Sequence, residues 1–370
     1  MRRDGEPANK QVSGQALRIL IAGGGTGGHV IPALAIAREL RDRHGAEVRF
    51  VGTARGLETR LVPEAGFELT LVRSGQLKNV SLTTRLRTAV DLPLGVVECV
   101  RLLGAFQPQV VVGVGGYASG PGMLAAILKR VPTVAYEPNA VPGMTNRWLG
   151  RWVNAAAVNF EQTAKYFRNA EVTGVPVRAE IFALAPRPVG APPRLLVTAG
   201  SNGALIFNET MPKIAAELLR AMPGLTIVHQ SGARALDATR AAYAACGADP
   251  ARWRVEAFLE DMPAQYGAAD LVLARSGSTV AELCAAGRPS LLVPFAAAAD
   301  DHQRKNAEVL ANAGAAVMLL HRDVTPATLL EALRGLLSDP ERRAVMAERA
   351  RSLAKPGAQE RIAAMVMRQA

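Results

Sequence analysis

Apolar residues fall along this chain in two alternating patterns. Near-continuous apolar runs, such as Leu17–Ala22, Gln109–Val114 and Leu195–Thr198, alternate with stretches in which apolar residues recur at helical spacing, as Ile31, Leu34, Ala35 and Leu40 do. A run apolar at every position is a strand buried on both faces, and strands of that kind belong to parallel sheets covered by helices. The pattern predicts strands at Leu17–Ala22, Glu47–Val51, Phe67–Val72, Gln109–Val114, Thr133–Tyr136, Ala155–Asn159 and Glu171–Thr173. After Gly174-Val175-Pro176-Val177, which reads as a linker, it resumes at Leu195–Thr198, Leu225–Gln230, Arg254–Ala257, Asp270–Ala274, Ser290–Pro294 and Ala316–Leu320. Two doubly wound α/β halves are therefore predicted, with a ligand cleft between them at the carboxyl ends of the strands.

Each half opens with a strand and a glycine-rich turn leading into a helix. The first turn is GGGTGGH, Gly23–His29, and the second is AGSNGA, Ala199–Ala204. A helix start leaves backbone N–H groups without partners and carries the positive end of the helix dipole, so both turns suit phosphate or other oxygen-rich groups. Gly23, Gly25 and Gly28 also satisfy the dinucleotide fingerprint, which requires an acid at the end of the next strand; that strand ends in Gly52-Thr53, which weakens an NAD-dependent reading. The turn lacks the Lys-Ser or Lys-Thr of a P-loop. A plain packing turn would not call for a titratable His29 directly after the glycines.

Length and charge narrow the field. At 370 residues the chain exceeds what one hydrophobic core usually supports. Its net charge of +11 favours anionic partners, but aromatics are only 5% and the basic residues are scattered, which argues against a nucleic-acid-binding module. Cys99, Cys246 and Cys284 are widely separated and have no metal-ligand spacing, so a reducing cytoplasm fits best and neither a disulfide framework nor a metal site is expected. Residues 1–15 read as a disordered leader, and no apolar run reaches spanning length. Ser81–Phe106 reads as a buried helix broken near Pro93, with Leu86, Val90 and Leu94 in the core. Its sharper reading is a helix pair partly facing a membrane, where Leu82, Leu86, Leu92, Leu94 and Val97 lie near Arg85, Arg87 and Arg101, with Arg73 and Lys78 close by.

Polar residues cluster after strands of the second half. Arg275-Ser276-Gly277-Ser278-Thr279 with Glu282 offers hydroxyls, N–H groups and a carboxylate to a diphosphate and a ribose; its bland alternative is a capping box with Ser278 or Thr279 at the N-cap. Asp300-Asp301-His302-Gln303 with Asn306 reads as a solvated helix start, with the acidic pair capping the helix. Phe258, in Phe258-Leu259-Glu260-Asp261-Met262, reads as core. The chain has no Asp-x-Asp, so charge on a departing diphosphate would fall to helix N-termini and basic side chains.

In order along the chain, GGGTGGH, GVGGYASGP, EPNAVPGMTNR, GVPVR, GSNGA, FLEDM, RSGSTVAEL and DDHQRKNA resemble the MurG family over about Leu17–Arg351. The resemblance implies a GT-B architecture: residues 16–174 as an acceptor- and membrane-binding domain, 175–351 as a UDP-sugar domain, and a C-terminal helix, about 352–370, packing back on the first. It implies inverting transfer of N-acetylglucosamine from UDP-N-acetylglucosamine to the 4-hydroxyl of the lipid-linked N-acetylmuramyl-pentapeptide acceptor (lipid I to lipid II), without a cofactor or metal. A glycolipid synthase acting on diacylglycerol is the runner-up in the same fold. Implied partners are the anionic cytoplasmic face of the inner membrane and proteins of cell-wall synthesis and division.

Carried over by position, Thr26, Gly27, Gly28 and Asn139 would contact the donor-sugar region from the first half. Arg178 and Ser201 would meet the diphosphate, Leu259 the uracil through its backbone, and Ser278 and Thr279 the phosphates. Glu282 would bond the ribose and Gln303 the sugar hydroxyls. His29 and Gly115-Gly116-Tyr117 would face the acceptor, His29 either as general base or as a group that positions the acceptor. The chain departs from the family's usual residues at Tyr136, Pro138, Ala199 and Asn202.

Overall fold

The computed structural model describes residues 16–75, 82–188 and 190–370, and for 82–87 the backbone alone. The leader, Lys78, Ser81 and the side chains of Leu82, Arg85, Leu86 and Arg87 therefore lie outside the described residues.

The first sheet is built from β1 (Arg18–Ala22), β2 (Glu47–Gly52), β3 (Glu68–Leu71), β4 (Val110–Gly113), β5 (Thr133–Glu137), β6 (Ala155–Val158) and β7 (Ala170–Val172). Between them run α1 (Gly27–His44), α2 (Glu58–Glu64), α3 (Leu82–Phe106), α4 (Ser119–Leu128) and α5 (Met144–Leu149). All strands pair in parallel, in the order β3-β2-β1-β4-β5-β6-β7. After α6 (Ala179–Phe182), a second parallel sheet has the order β10-β9-β8-β11-β12-β13. Its strands are β8 (Arg194–Thr198), β9 (Thr226–Gln230), β10 (Trp253–Glu256), β11 (Leu271–Ala274), β12 (Ser290–Leu292) and β13 (Ala316–Met318). Its helices are α7 (Leu205–Ala221), α8 (Leu236–Ala245), α9 (Met262–Ala268), α10 (Thr279–Ala286), α11 (His302–Asn312), α12 (Pro326–Leu337) and α13 (Pro340–Ser352).

The apolar runs take the central places because both faces there are covered. Every residue of β4, β5, β6, β11 and β12 is buried. Strand order reverses direction beside β1/β4 in the first sheet and beside β8/β11 in the second. The loops leaving those strands open onto a crevice, and they are the glycine turns and the Arg275–Ser278 loop.

The last helix, α14 (Ala358–Gln369), returns to the first sheet, where Ile362, Ala363, Met365 and Val366 join the cluster containing Val30, Leu34 and Tyr136. Burying an apolar side chain of that size contributes roughly 1.5–3 kcal/mol. An exposed pair such as Arg368–Glu171 at 2.6 Å adds about 0–1 kcal/mol, so packing holds the helix.

Two readings of the Ser81–Phe106 stretch are corrected. The helix is not broken: α3 runs through Pro93, because proline and the Ala89 carbonyl that loses its donor are both on the exposed side, where water replaces the bond. Nor do Val90 and Leu94 lie in the core, for they are 61% and 39% exposed; the buried face is Cys99, Leu103 and Phe106. Ile31 of α1, counted on the apolar face by its spacing, is also exposed, and Val30, Ala33, Ile36 and Ala37 fill the core instead. Among the described residues no helix is long and apolar enough to cross a membrane.

Candidate functional site

The first glycine turn is held from inside the protein by a carboxylate. Glu58, at the start of α2 and fully buried, accepts the Gly25 N–H at 2.7 Å and both the N–H and hydroxyl of Thr53 at 3.0 Å. A side chain at Gly24 would collide with this carboxylate, so glycine is required there for close approach and not for its torsion angles. The turn delivers Thr26 to the N-cap of α1 and leaves Gly27 and Gly28 in its first turn, with no side-chain cap on their N–H groups. Those donors remain for a ligand.

His29 follows, half-buried, with Nδ1 3.0 Å from the Val114 carbonyl oxygen. A carbonyl only accepts, so Nδ1 carries the hydrogen and Nε2 keeps its lone pair. The ring lies on the Gly115-Gly116-Tyr117 turn after β4: a Cβ at Gly115, whose φ is +89°, would come within 2.9 Å of it. Burial lowers the His29 pKa below its ordinary value, opposed by the bond to Val114 and reinforced by the charge of His302 from the other domain. The imidazole is therefore neutral at neutral pH.

At the end of β5, Glu137 gathers the third loop. Its Oε1 accepts from the Asn139 N–H and Nδ2 at 3.0 and 2.9 Å, and its Oε2 from Gly143 N–H and Asn146 Nδ2 at 3.1 and 3.0 Å. Burial raises its pKa, and the four donated bonds work against that. Tyr136 points the other way, into the core, and its hydroxyl has no partner among the described residues. Pro138 contributes its carbonyl to Asn159.

In the second domain, Ser278 is the N-cap residue of α10, but neither it nor Thr279 makes a side-chain cap bond. The capping box is therefore not formed. Glu282 falls one position too far along the helix to reach back, and instead accepts the Tyr266 hydroxyl at 2.8 Å. Its pKa is raised by burial, against which the Tyr266 bond and the Arg178 charge act. Gln303 Oε1 accepts the Phe295 N–H at 3.0 Å, leaving Nε2 near Gly277. Arg275 turns inward to the Val293 and Pro294 carbonyls, so it braces the loop and does not face the cleft. Ser201 and Asn202 are exposed in the turn after β8, whose Gly200 carbonyl accepts Gln230 Nε2 at 2.8 Å.

Two further readings change. Leu259 is buried while Phe258 is 57% exposed, so the core residue of that loop is its neighbour. Asp301 is the N-cap residue of α11 but makes no side-chain cap bond, and both Asp300 and Asp301 have left-handed backbone; Asp300 instead reaches Arg147 of the first domain at 3.6 Å.

The two domains meet at these turns. A Cβ at Gly28 would stand 3.8 Å from Ser278 Oγ, so the starts of α1 and α10 face each other across the cleft. Thr26, Gly27, Gly28, His29 and Asn139 thus lie opposite Ser278, Thr279 and Gln303, with Glu282 bonded to Tyr266. Sequence reasoning passed over Glu58 and Tyr266. The signal for Glu58 was a lone acid shortly after Gly52-Thr53, within reach of a turn rich in unpaired N–H groups; Tyr266 carried none.

A pair of parallel-sheet domains whose helix N-termini converge on one cleft is the GT-B architecture found in glycosyltransferases. Models of the glycosyltransferase family 28 N-terminal and C-terminal domains match residues 19–158 and 194–362. The chain is 45% identical, over 95% of its length and 92% of the relative's, to the UDP-N-acetylglucosamine--N-acetylmuramyl-(pentapeptide) pyrophosphoryl-undecaprenol N-acetylglucosamine transferase of Anaeromyxobacter dehalogenans. It is 43% identical to the enzyme of that name from Solibacter usitatus, over 94% and 95% of the two chains. The crystal structure of Acinetobacter baumannii MurG superposes with a TM-score of 0.79 at 31% identity, covering 95% of this chain and 99% of that one. The chain belongs to glycosyltransferase family 28 and, within it, to the MurG family.

Proposed function

We propose that this protein transfers N-acetylglucosamine from UDP-N-acetylglucosamine to the 4-hydroxyl of the N-acetylmuramyl unit of undecaprenyl-pyrophosphoryl-N-acetylmuramyl-pentapeptide, with inversion at the anomeric carbon. The observation that carries the reading is the opposition of Gly27–His29 to Ser278–Thr279 across the cleft. It would set a leaving diphosphate against the N-terminus of α10 while His29 stands on the acceptor side. A dispersed-charge transition state needs a base on the nucleophile and stabilisation of the departing oxygens. Neutral His29, with its lone pair on Nε2, suits the first role; the uncapped N–H groups of α10 with the Ser278 and Thr279 hydroxyls suit the second.

The remaining residues divide by position. Thr26, Gly27, Gly28 and Asn139 bound the donor sugar from the first domain, and Gln303 reads its hydroxyls through the Nε2 that Phe295 leaves unused. Glu282 accepts from the ribose, Arg178 and Ser201 flank the diphosphate, and the Leu259 backbone meets the uracil. The Gly115–Tyr117 turn faces the acceptor. A polyprenyl-linked acceptor keeps the enzyme at a membrane surface, on the cytoplasmic side where UDP-sugars are present, and exposed Val90, Leu94 and Val97 of α3 give the first domain an apolar strip to lay against it.

Labelled UDP-N-acetylglucosamine should be converted with a lipid-linked N-acetylmuramyl-pentapeptide acceptor and not with diacylglycerol. Transfer to diacylglycerol alone would replace this reading with a glycolipid synthase.

A further inference from the structure

Asn306, in the second turn of α11, is 1% exposed and uses its carboxamide to join the two domains. Its Oδ1 accepts the Ala140 N–H at 2.8 Å, and its Nδ2 donates to Asn139 Oδ1 at 3.1 Å and to the Ser276 carbonyl at 3.0 Å. These contacts reach two of the loops assigned above to the donor sugar and phosphates, the one after β5 and the one that leads into α10. Asn139 follows β5, Ser276 stands two residues before Ser278, and Gln303 lies one turn earlier on α11, with its carbonyl accepting the Ser276 hydroxyl at 2.7 Å.

The bonding also fixes which way both carboxamides face. Ala140 presents an N–H, so it must meet the oxygen of Asn306, which turns the NH2 group toward Asn139 and Ser276. Glu137 accepts from Asn139 Nδ2, which turns Asn139 Oδ1 toward Asn306. One N–H of Asn139 Nδ2 is left for a ligand. Parting the domains would strip Asn306 of both its bonds to the first domain, and a buried amide left unpaired is costly.

We propose that Asn306 is a positioning residue that sets the closed register of the two domains and holds the Asn139 carboxamide toward the donor sugar, acting on turnover and not on nucleotide affinity. The inference rests on the transferase reading above.

A double-mutant cycle tests it. Asn306→Ala should lower transfer kcat by about 10-fold or more, the scale of one lost buried hydrogen-bond partner, while the calorimetric Kd for UDP stays within about 2-fold. Asn139→Ala should do likewise, and the double variant should fall no more than about 3-fold below the weaker single, because both substitutions break one device. Asn306→Asp keeps the shape and the acceptor for Ala140 but sets a carboxylate against two oxygens; it should lose at least as much as the alanine variant, and it serves the same test if that variant does not fold. Losses that multiply in the double variant, UDP affinity that falls in step with kcat, or full turnover in either Asn306 variant would overturn the proposal. A parent enzyme that transfers no N-acetylglucosamine to the lipid-linked acceptor would instead overturn the transferase reading itself.

Discussion

The Tyr266 hydroxyl donates to Glu282 Oε2 at 2.8 Å, from α9 to α10. That bond fixes the carboxylate in one orientation and leaves Oε1 to accept from a ligand. Removing the carboxylate should therefore hurt donor binding more than removing its support. Glu282→Ala is expected to raise the Michaelis constant for UDP-N-acetylglucosamine by roughly 10- to 100-fold, the loss typical of a hydrogen bond to a charged acceptor, and Tyr266→Phe by only a few-fold. Steady-state kinetics with varied donor check both, and an unchanged constant in Glu282→Ala would discard the ribose assignment.

His29 is held neutral by burial. As base it must be unprotonated, so kcat/KM should fall on the acid side of a limb that lies below the ordinary imidazole range. His29→Ala should lower turnover by about 100-fold or more, with donor affinity nearly kept and that limb gone. A pH profile that keeps its acidic limb in the variant assigns the base elsewhere and leaves His29 the role of positioning the acceptor.

His229 titrates for stability and not for catalysis. It is fully buried in the second domain, its Nδ1 is 3.2 Å from the Tyr243 hydroxyl, and burial lowers its pKa to about 3. The unfolded chain binds a proton near pH 6.5 and the folded chain does not, so stability is full above pH 6.5 and is lost as pH falls from there toward 3. At about 1.4 kcal/mol per pH unit, the loss from this group between pH 6.5 and pH 5 is about 2 kcal/mol. Urea unfolding at pH 7 and pH 5 should show that difference in the parent and a smaller one, by about this amount, in His229→Phe. Equal pH dependence in both would show that another group carries it.

The membrane surface is tested on α3. Val90 and Leu94 are exposed, whereas Arg73 is already paired with Glu98 at 3.3 Å. Replacing both apolar residues, Val90→Asp with Leu94→Asp, should weaken sedimentation with anionic vesicles, and Arg85→Glu with Arg87→Glu should weaken it further at low salt. Basic residues near an anionic leaflet contribute roughly 1 kcal/mol each, a term that salt screens. Binding indifferent to lipid charge, salt and all four substitutions would remove this helix as the docking face.

The sequence by itself determined the strands and the order of the glycine turns. A strand buried on both faces has to be apolar throughout, and a turn that presents bare N–H groups to a ligand has to be rich in glycine; both constraints are local and leave their mark in a few consecutive residues. Tertiary structure alone decided what each polar side chain bonds. Glu282 had a capping partner within four residues, yet its carboxylate meets Tyr266, sixteen residues away in sequence. Glu58 looked like an ordinary helix residue until the fold set Gly25 and Thr53 against it, and Asn306 like a solvated one until the other domain supplied Ala140 and Asn139. Hydrogen-bond partners are chosen by distance in space once the sheets are packed, and periodicity carries no record of that choice. Exposure along α3 followed the same rule, since its spacing offered several apolar faces and only packing against the sheet selected Cys99, Leu103 and Phe106 for burial.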